Sequence, residues 1–216
     1  MEMEKHFIGL ILFATCVIVN SQTRTLSDVE YFCGNKPADV VFMLDSSNSI
    51  WGPDFQRQLT FVNDVIGMFE IAENVTRVAV STFSSQVNRI FFLDTYVDKW
   101  SIQRQVSSIR QEHGYITNTG MAILHMRHRM FSDQHGARPG VAKIGIVLTD
   151  GQSHNLAKTV YEAFRAKRDR ITMFAIGIGD NINERELEGI ASKPKEEYMF
   201  KVDGSRPWTP SRARWP

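Results

Sequence analysis

Three short polar runs carry the side chains of this sequence that could hold a metal ion. Residues 45–49 (DSSNS) and 149–151 (TDG) each end a hydrophobic stretch, and residues 117–119 (TNT) lead into a predicted helix. The runs offer two carboxylates and several hydroxyl groups, with no sulfur or imidazole among them. Such oxygen donors suit a small, hard divalent cation, namely Mg²⁺ or Mn²⁺. Neutral hydroxyl ligands would leave the ion able to attract a carboxylate from another molecule.

The first half of the chain contains the elements that must position the first run. Residues 38–44 form a continuous, valine-rich apolar run, which indicates a strand buried on both faces. Apolar positions recur with helical spacing over residues 53–69, and a proline suits the first turn. Residues 76–83 and 87–93 are predicted strands joined by a three-residue hairpin, so the third strand is expected to be antiparallel and at an edge.

The second half alternates helices with strands. The predicted helices span residues 99–109, 120–130, 156–164 and 183–191, and the predicted strands span residues 143–149, 171–178 and 198–202. This alternation predicts an α/β, doubly wound, mostly parallel sheet with one antiparallel edge strand and helices on both faces. Ligands of such sheets bind beyond the carboxyl ends of the strands. We therefore expect the three polar runs to converge on one rim.

Two alternative interpretations compete with a cation site. Aspartate and serine in loops often only cap helices, which is the simpler explanation for any one run. A magnesium phosphatase would also place an aspartate such as Asp45 after a buried strand. That chemistry needs a general-acid carboxylate two residues later, where this chain has Ser47, and no Gly-x-Ser-x-Gly elbow is present. The sequence therefore predicts a binding protein, not an enzyme.

The N-terminus is typical of a secreted protein. Lys5 and His6 precede an apolar stretch over residues 7–19, and the small side chains near Ser21 suit cleavage after that residue. The stretch is shorter than the roughly 20 residues that a spanning helix needs, and no later segment is a candidate span. The formal net charge of +1 gives no basic field for nucleic acid. We expect a signal peptide at 1–21, a polar lead at 22–37, a domain at 38–203 and an irregular tail at 204–216.

Two residues are candidates for covalent chemistry outside the polar runs. Cys33 would be the single cysteine left after removal of the signal peptide. In an oxidising compartment such a thiol can form a disulfide with another molecule, giving a linked oligomer. Asn74 begins the triplet Asn-Val-Thr, an acceptor for N-glycosylation in a secreted loop.

Four segments together resemble the von Willebrand factor A family. They are residues 37–50 (PADVVFMLDSSNSI), 117–120 (TNTG), 146–151 (IVLTDG) and 174–179 (FAIGIG), and they occur in the family's order. The resemblance covers residues 38–202. The sequences of the four segments are similar to those of matrilins and of the A domains of non-fibrillar collagens. Byssal and shell-matrix proteins that reuse the domain also look similar. The family implies a Rossmann-like fold.

The resemblance also implies a metal-ion-dependent adhesion site and the residues that form it. In the family, two serines bind the ion directly, the aspartates act partly through water, the threonine joins when ligand is bound, and an acidic side chain of the partner completes the octahedron. The matching positions are Asp45, Ser47, Ser49, Thr117 and Asp150. The implied function is a secreted module of the extracellular matrix that binds acidic or collagen-like proteins.

One departure from the family pattern concerns the C-terminus. The family continues into a helix that packs on the sheet, whereas residues 204–216 contain three prolines, which exclude a regular helix. The expected helix is therefore missing from the sequence as it stands. The tail is interpreted as a truncated, spliced or misread end, as a basic and aromatic adhesive segment, or as a disordered, solvated end. A second function also stays open: a structural component of shell, byssus or collagen-associated matrix, assembled through Cys33 or the tail, with the metal incidental.

Overall fold

The described part of the chain is the α/β region that the sequence predicts. A computed structural model describes residues 37–179 and 182–202. The predicted signal peptide, Cys33, and the tail at 204–216 lie outside the described residues. Within the described ranges, no helix combines the length and the apolar character needed to cross a bilayer.

Six strands and six α-helices occur in the described residues. The strands are β1 (Ala38–Asp45), β2 (Thr76–Phe83), β3 (Val87–Phe91), β4 (Ala142–Thr149), β5 (Ile171–Ile178) and β6 (Met199–Val202). The α-helices are α1 (Gly52–Met68), α2 (Lys99–Ser107), α3 (Thr119–His125), α4 (Leu156–Arg168), α5 (Glu184–Ile190) and α6 (Lys195–Tyr198). A π-helical turn (Met126–Met130) continues α3, and a 3₁₀ turn (Asp133–His135) follows it.

The strands form one sheet in the order β3-β2-β1-β4-β5-β6. All neighbouring pairs are parallel except β2 and β3, which are antiparallel. The predicted antiparallel edge strand is therefore confirmed. The chain leaves β1 toward β2 on one side and later returns to place β4 on the other side. This reversal opens a crevice at the carboxyl ends of β1 and β4, the usual ligand position in such sheets.

Two apolar layers hold helices against the sheet. Along β1, Val40, Phe42 and Leu44 face a cluster that includes the apolar stripe of α1 and two residues of α2. Val41 and Met43 point to the opposite face, where α3, α4 and α5 pack. All five side chains are buried. The apolar run Val40–Leu44 within β1 is thus explained by burial on both faces.

The predicted elements are confirmed, with differences at their ends. β2 and β5 have the predicted bounds, whereas β3 ends two residues early. The reason is a turn, in which Phe92 N donates to Thr95 Oγ1 and Thr95 N donates to Phe92 O, at 3.0 and 3.2 Å. The predicted helix at 120–130 is α-helical only to His125 and continues as the π-helical turn. The prediction did not include this change, because helical spacing does not distinguish an α-turn from a π-turn. The four-residue α6 is too short to show any periodicity.

Candidate metal centre

Asp45 lies at the end of β1 beside the end of β4. The two strands pair in parallel up to Leu44 and Leu148, which brings Asp45 next to Thr149. Thr149 Oγ1 donates to Asp45 Oδ2 at 2.7 Å, and Ser47 N donates to Asp45 Oδ1 at 3.0 Å. The carboxylate is fully buried. Each of its oxygens therefore has one protein donor and keeps acceptor capacity for another group.

The electrostatics of Asp45 are unfavourable without a cation. The pKa of this carboxyl is raised from 3.8 to about 7, mainly by burial and also by the negative charge of Asp150, while the bonds from Ser47 and Thr149 oppose the rise. The two carboxylates therefore lie close enough to repel each other. A divalent cation between them would remove both the repulsion and the cost of burying charge.

Ser47 and Ser49 bring two hydroxyl groups together just after Asp45. Their Oγ atoms are 3.0 Å apart. Ser47 is buried and Ser49 is exposed. The hydroxyl pair therefore lies between the buried carboxylate and the protein surface, where oxygen ligands of a partly solvated ion would be needed.

The loop before α3 is hydrogen-bonded to the serine loop, which is the loop that carries Ser47 and Ser49. Asn48 N donates to Gly114 O at 2.8 Å, and Ser47 forms a parallel bridge with Gly114. The side-chain amide of Gln111 donates to Ser47 O at 3.0 Å and to Ile50 O at 2.7 Å. These bonds bring the segment that carries Thr117 to the edge of the sheet at which Asp45 lies.

Thr117 is buried and connects the second loop to the third. Thr117 N donates to His154 Nδ1, and His154 N donates to Thr117 O, both at 3.1 Å. The residue as a whole is only 2% exposed. Thr117 is thus held by the loop that follows Asp150.

Asp150 follows β4 in a loop closed by a glycine. Gln152 N donates to Asp150 Oδ1 at 3.0 Å, and Asn183 N donates to Asp150 O at 3.0 Å. Gly151 has φ +74°, and a Cβ there would lie 2.9 Å from Asn183 O. The Thr-Asp-Gly run therefore needs glycine at its last position, both for its backbone conformation and for the close approach of the Asn183 loop.

Two buried polar residues near the site were not found from the sequence. Gln58, on α1, donates from its side-chain amide to Asp45 O at 3.1 Å. Glu186, on α5, accepts from Ser153 N at 3.1 Å, and burial raises the pKa of its carboxyl. A polar residue inside the apolar stripe of a helix was the available signal for Gln58. Glu186 lies 36 residues after Asp150, and no comparable sequence pattern indicated that it would lie near the site.

The predicted glycosylation site lies away from this centre, at the opposite end of the strands. Asn74 is exposed in the turn between α1 and β2. Cys33 lies outside the described residues. Among the described residues, no group of three or more His, Cys, Asp or Glu side chains could hold a metal. A cation at this edge would therefore depend on hydroxyl ligands as well as carboxylates, a donor set that fits Mg²⁺ or Mn²⁺.

A family model described as the von Willebrand factor type A domain matches residues 39–207 of this chain. The transmembrane cell adhesion receptor mua-3 of Caenorhabditis elegans is 37% identical over 179 residues, which cover 81% of this chain and 5% of that protein. Matrilin-3 of Gallus gallus is 34% identical over 174 residues, covering 79% and 38% of the two chains. The chain thus spans well under half the length of these relatives.

Solved structures show the same fold. Proximal thread matrix protein 1 from the mussel byssus has a TM-score of 0.72 and 29% identity, with 78% of this chain and 43% of that chain covered. A further structure of that protein has a zinc-occupied MIDAS motif, with the same TM-score and identity over 78% and 44% of the two chains. The manganese-loaded TRAP protein of Plasmodium vivax has a TM-score of 0.69 at 19% identity, over 78% and 69% of the two chains, and indicates the fold alone.

Proposed function

The chain belongs to the von Willebrand factor type A domain family, and from that premise we propose that it is a metal-dependent adhesion module of the extracellular matrix. Its ligand would be a protein, such as collagen, that presents an acidic side chain. The bound Mg²⁺ or Mn²⁺ supplies the positive charge to which that carboxylate binds. Residues of this chain would hold the ion, and the carboxylate of the partner would bind to it.

The observation that carries this proposal is the arrangement around Asp45. A fully buried carboxylate with a pKa near 7 lies beside two serine hydroxyls whose oxygens are 3.0 Å apart, and it interacts with a second carboxylate, that of Asp150. Such a cluster is costly as a purely structural feature, because two acidic groups share a poorly solvated site. A divalent cation offsets that cost. The proposed ligand set is Asp45, Ser47, Ser49, Thr117 and Asp150.

Each proposed ligand has a role that follows from its surroundings. The hydroxyl oxygens of Ser47 and Ser49 lie 3.0 Å apart and would bind the ion directly. Asp45 has one protein hydrogen bond on each oxygen, so it would act through bridging water as well as by its charge. Thr117 and Asp150 approach from the other two loops and would complete the protein side of the site.

The family relatives support a role in adhesion outside the cell. One relative is named a cell adhesion receptor, and a structural neighbour is named a thread matrix protein. A non-enzymatic role agrees with these names and with Ser47, which occupies the position where a phosphatase would need a carboxylate. We also propose that Asn74 carries an N-linked glycan, since it is exposed and distant from the metal loops.

Solid-phase binding to collagen and to a matrix extract tests the proposal. We expect binding in Mg²⁺ that is lost in EDTA and in Asp150→Ala, with circular dichroism confirming that the variant is folded. Glu196→Ala, which changes an exposed acidic residue on α6, is the matched control and should bind as the wild type does. Binding that survives both EDTA and Asp150→Ala would refute the metal-dependent function.

A second candidate is favoured by the likeness to the byssal matrix protein. In that alternative the domain is a structural building block, linked to others through Cys33 or the tail, and the metal is incidental. Non-reducing electrophoresis of the secreted protein tests the linkage. A Cys33-dependent oligomer whose assembly is unaffected by EDTA would favour the structural role, whereas a monomer would exclude linkage through Cys33.

A further inference from the structure

We propose that His154 is a positioning residue for the metal centre, which holds Thr117 in place through a hydrogen bond to its backbone. This inference rests on the proposed function, because Thr117 is the ligand that the second loop contributes. His154 itself is not a proposed ligand. Its Nδ1 atom accepts from Thr117 N at 3.1 Å, and its own backbone N–H donates to Thr117 O at the same distance.

The hydrogen bonds of neighbouring residues show that this contact is specific to Thr117. Ile116 N donates to Ser85 Oγ at 3.3 Å, and Asn118 N donates to Ser84 O at 3.0 Å, both toward the β2–β3 hairpin. Of these three residues, Thr117 is the one whose backbone N–H and C=O form hydrogen bonds with the loop that carries Asp150. The second loop is therefore held between the hairpin on one side and His154 on the other.

The residues on both sides of His154 are hydrogen-bonded to other parts of the structure. Ser153 N donates to the buried carboxylate of Glu186 at 3.1 Å. Asn155 caps α4 by accepting from Lys158 N at 2.9 Å. His154 is thus fixed between two anchored residues, so its ring defines where the Thr117 backbone can lie.

The imidazole acts here as an acceptor and not as packing. The residue is exposed, so a shorter or apolar side chain at this position leaves no cavity in the core. Thr117, by contrast, is 2% exposed, and its N–H would have no ready access to water if the acceptor were lost. A buried, unpaired N–H is costly, and the loop would shift to expose it. A shift of that kind would move the Thr117 hydroxyl away from the ion.

Two substitutions separate this role from a general structural one. His154→Leu keeps similar bulk but removes the acceptor, whereas His154→Asn places an amide oxygen where Nδ1 lies. We expect calorimetric titration with Mn²⁺ to show about tenfold weaker binding for the leucine variant, since one hydrogen bond to a buried group is lost. The asparagine variant should bind within about twofold of the wild type. His128→Leu, which removes another exposed histidine, is the control.

A second readout does not depend on metal. Hydrogen exchange of the Thr117 amide, followed by NMR in EDTA, should be slow in the wild type and the asparagine variant and fast in the leucine variant. Unchanged Mn²⁺ affinity and a protected amide in His154→Leu would overturn the inference, as would equal loss in both variants. A wild-type protein that binds no Mn²⁺ but shows the expected exchange pattern would refute the proposed function and leave the contact between His154 and Thr117 established.

Discussion

Asp45 is held at the end of β1 by bonds from both sides, from Thr149 of the neighbouring strand and from the backbone of Ser47. Its neighbour Gln58 binds the carbonyl of the same residue. These contacts fix the carboxylate before any ion binds. A preformed site of this kind costs stability in the absence of the ion, because the charge is buried and Asp150 repels it.

That cost predicts a pH dependence of the metal-free protein. The folded pKa of Asp45, about 7, lies above its ordinary value of 3.8, so between these values the folded state binds more protons than the unfolded state. The contribution of Asp45 to stability therefore falls as pH rises through this window. Asp45→Asn removes the penalty and should be more stable than the wild type at pH 8 in EDTA, by about 2–4 kcal/mol.

Urea denaturation of both proteins at pH 4, 6 and 8 measures this difference. Comparing the two proteins cancels the titration of groups that do not interact with Asp45. The advantage of Asp45→Asn should shrink toward zero at pH 4. An advantage that is the same at every pH, or one that grows on acidification, would contradict the assignment of a raised pKa to Asp45.

At the residue scale, the ligand candidates could be predicted from the sequence, but their supports could not. Asp45 and Asp150 each come at the end of a hydrophobic stretch, so their position at the edge of the sheet could be predicted from the sequence. His154 and Glu186 act through contacts with residues 37 and 33 positions away. No local pattern encodes such contacts, because they depend on how loops meet after the helices have packed.

Close packing between helices α3 and α4 positions the loops of the site that precede them. Gly120, in the first turn of α3, lies against α4: a Cβ there would be 2.9 Å from Lys158 Cγ and 3.0 Å from the backbone of Lys158 and Thr159. This glycine ends the sequence run Thr-Asn-Thr-Gly. The run thus contains both the proposed ligand Thr117 and the residue at which α3 contacts α4, the helix that follows Asp150.

Gly120→Ala should therefore destabilise the protein, by about 1–3 kcal/mol, since the backbone of α4 cannot give way as a side chain could. Chemical denaturation measures the loss. Gly52→Ala, where nothing lies within 4 Å of the added Cβ, is the matched control and should be close to neutral. Equal stability of the two variants would show that α3 and α4 are not in the close contact described.

Element types were predictable because periodicity reports burial, but element ends were not. The helical spacing of α1 matches its buried stripe of Phe55, Leu59, Val62 and Ile66. The end of β3 is set instead by one side-chain bond, from Phe92 N to Thr95 Oγ1. Helix and strand ends of this kind depend on single capping contacts, which hydrophobic patterns do not contain.

At the scale of the whole molecule, the site follows from the strand order. β1 lies between β2 and β4, so the loops after β1 and β4 flank one crevice. The loop before α3 reaches the same crevice by bonding to the serine loop. The alternation of strands and helices predicts this arrangement, whereas the bonds that join the three loops are known only from the structure.

Anomalous scattering from crystals grown with Mn²⁺ would reveal whether the three loops form one divalent-cation site. We predict one strong anomalous peak about 2.1 Å from the hydroxyl oxygens of Ser47 and Ser49, with Asp45, Thr117 and Asp150 around it. The peak should be absent from crystals of Ser47→Ala. Well-ordered loops with no peak between them, or a peak held by other residues, would show that these three loops do not form a cation site.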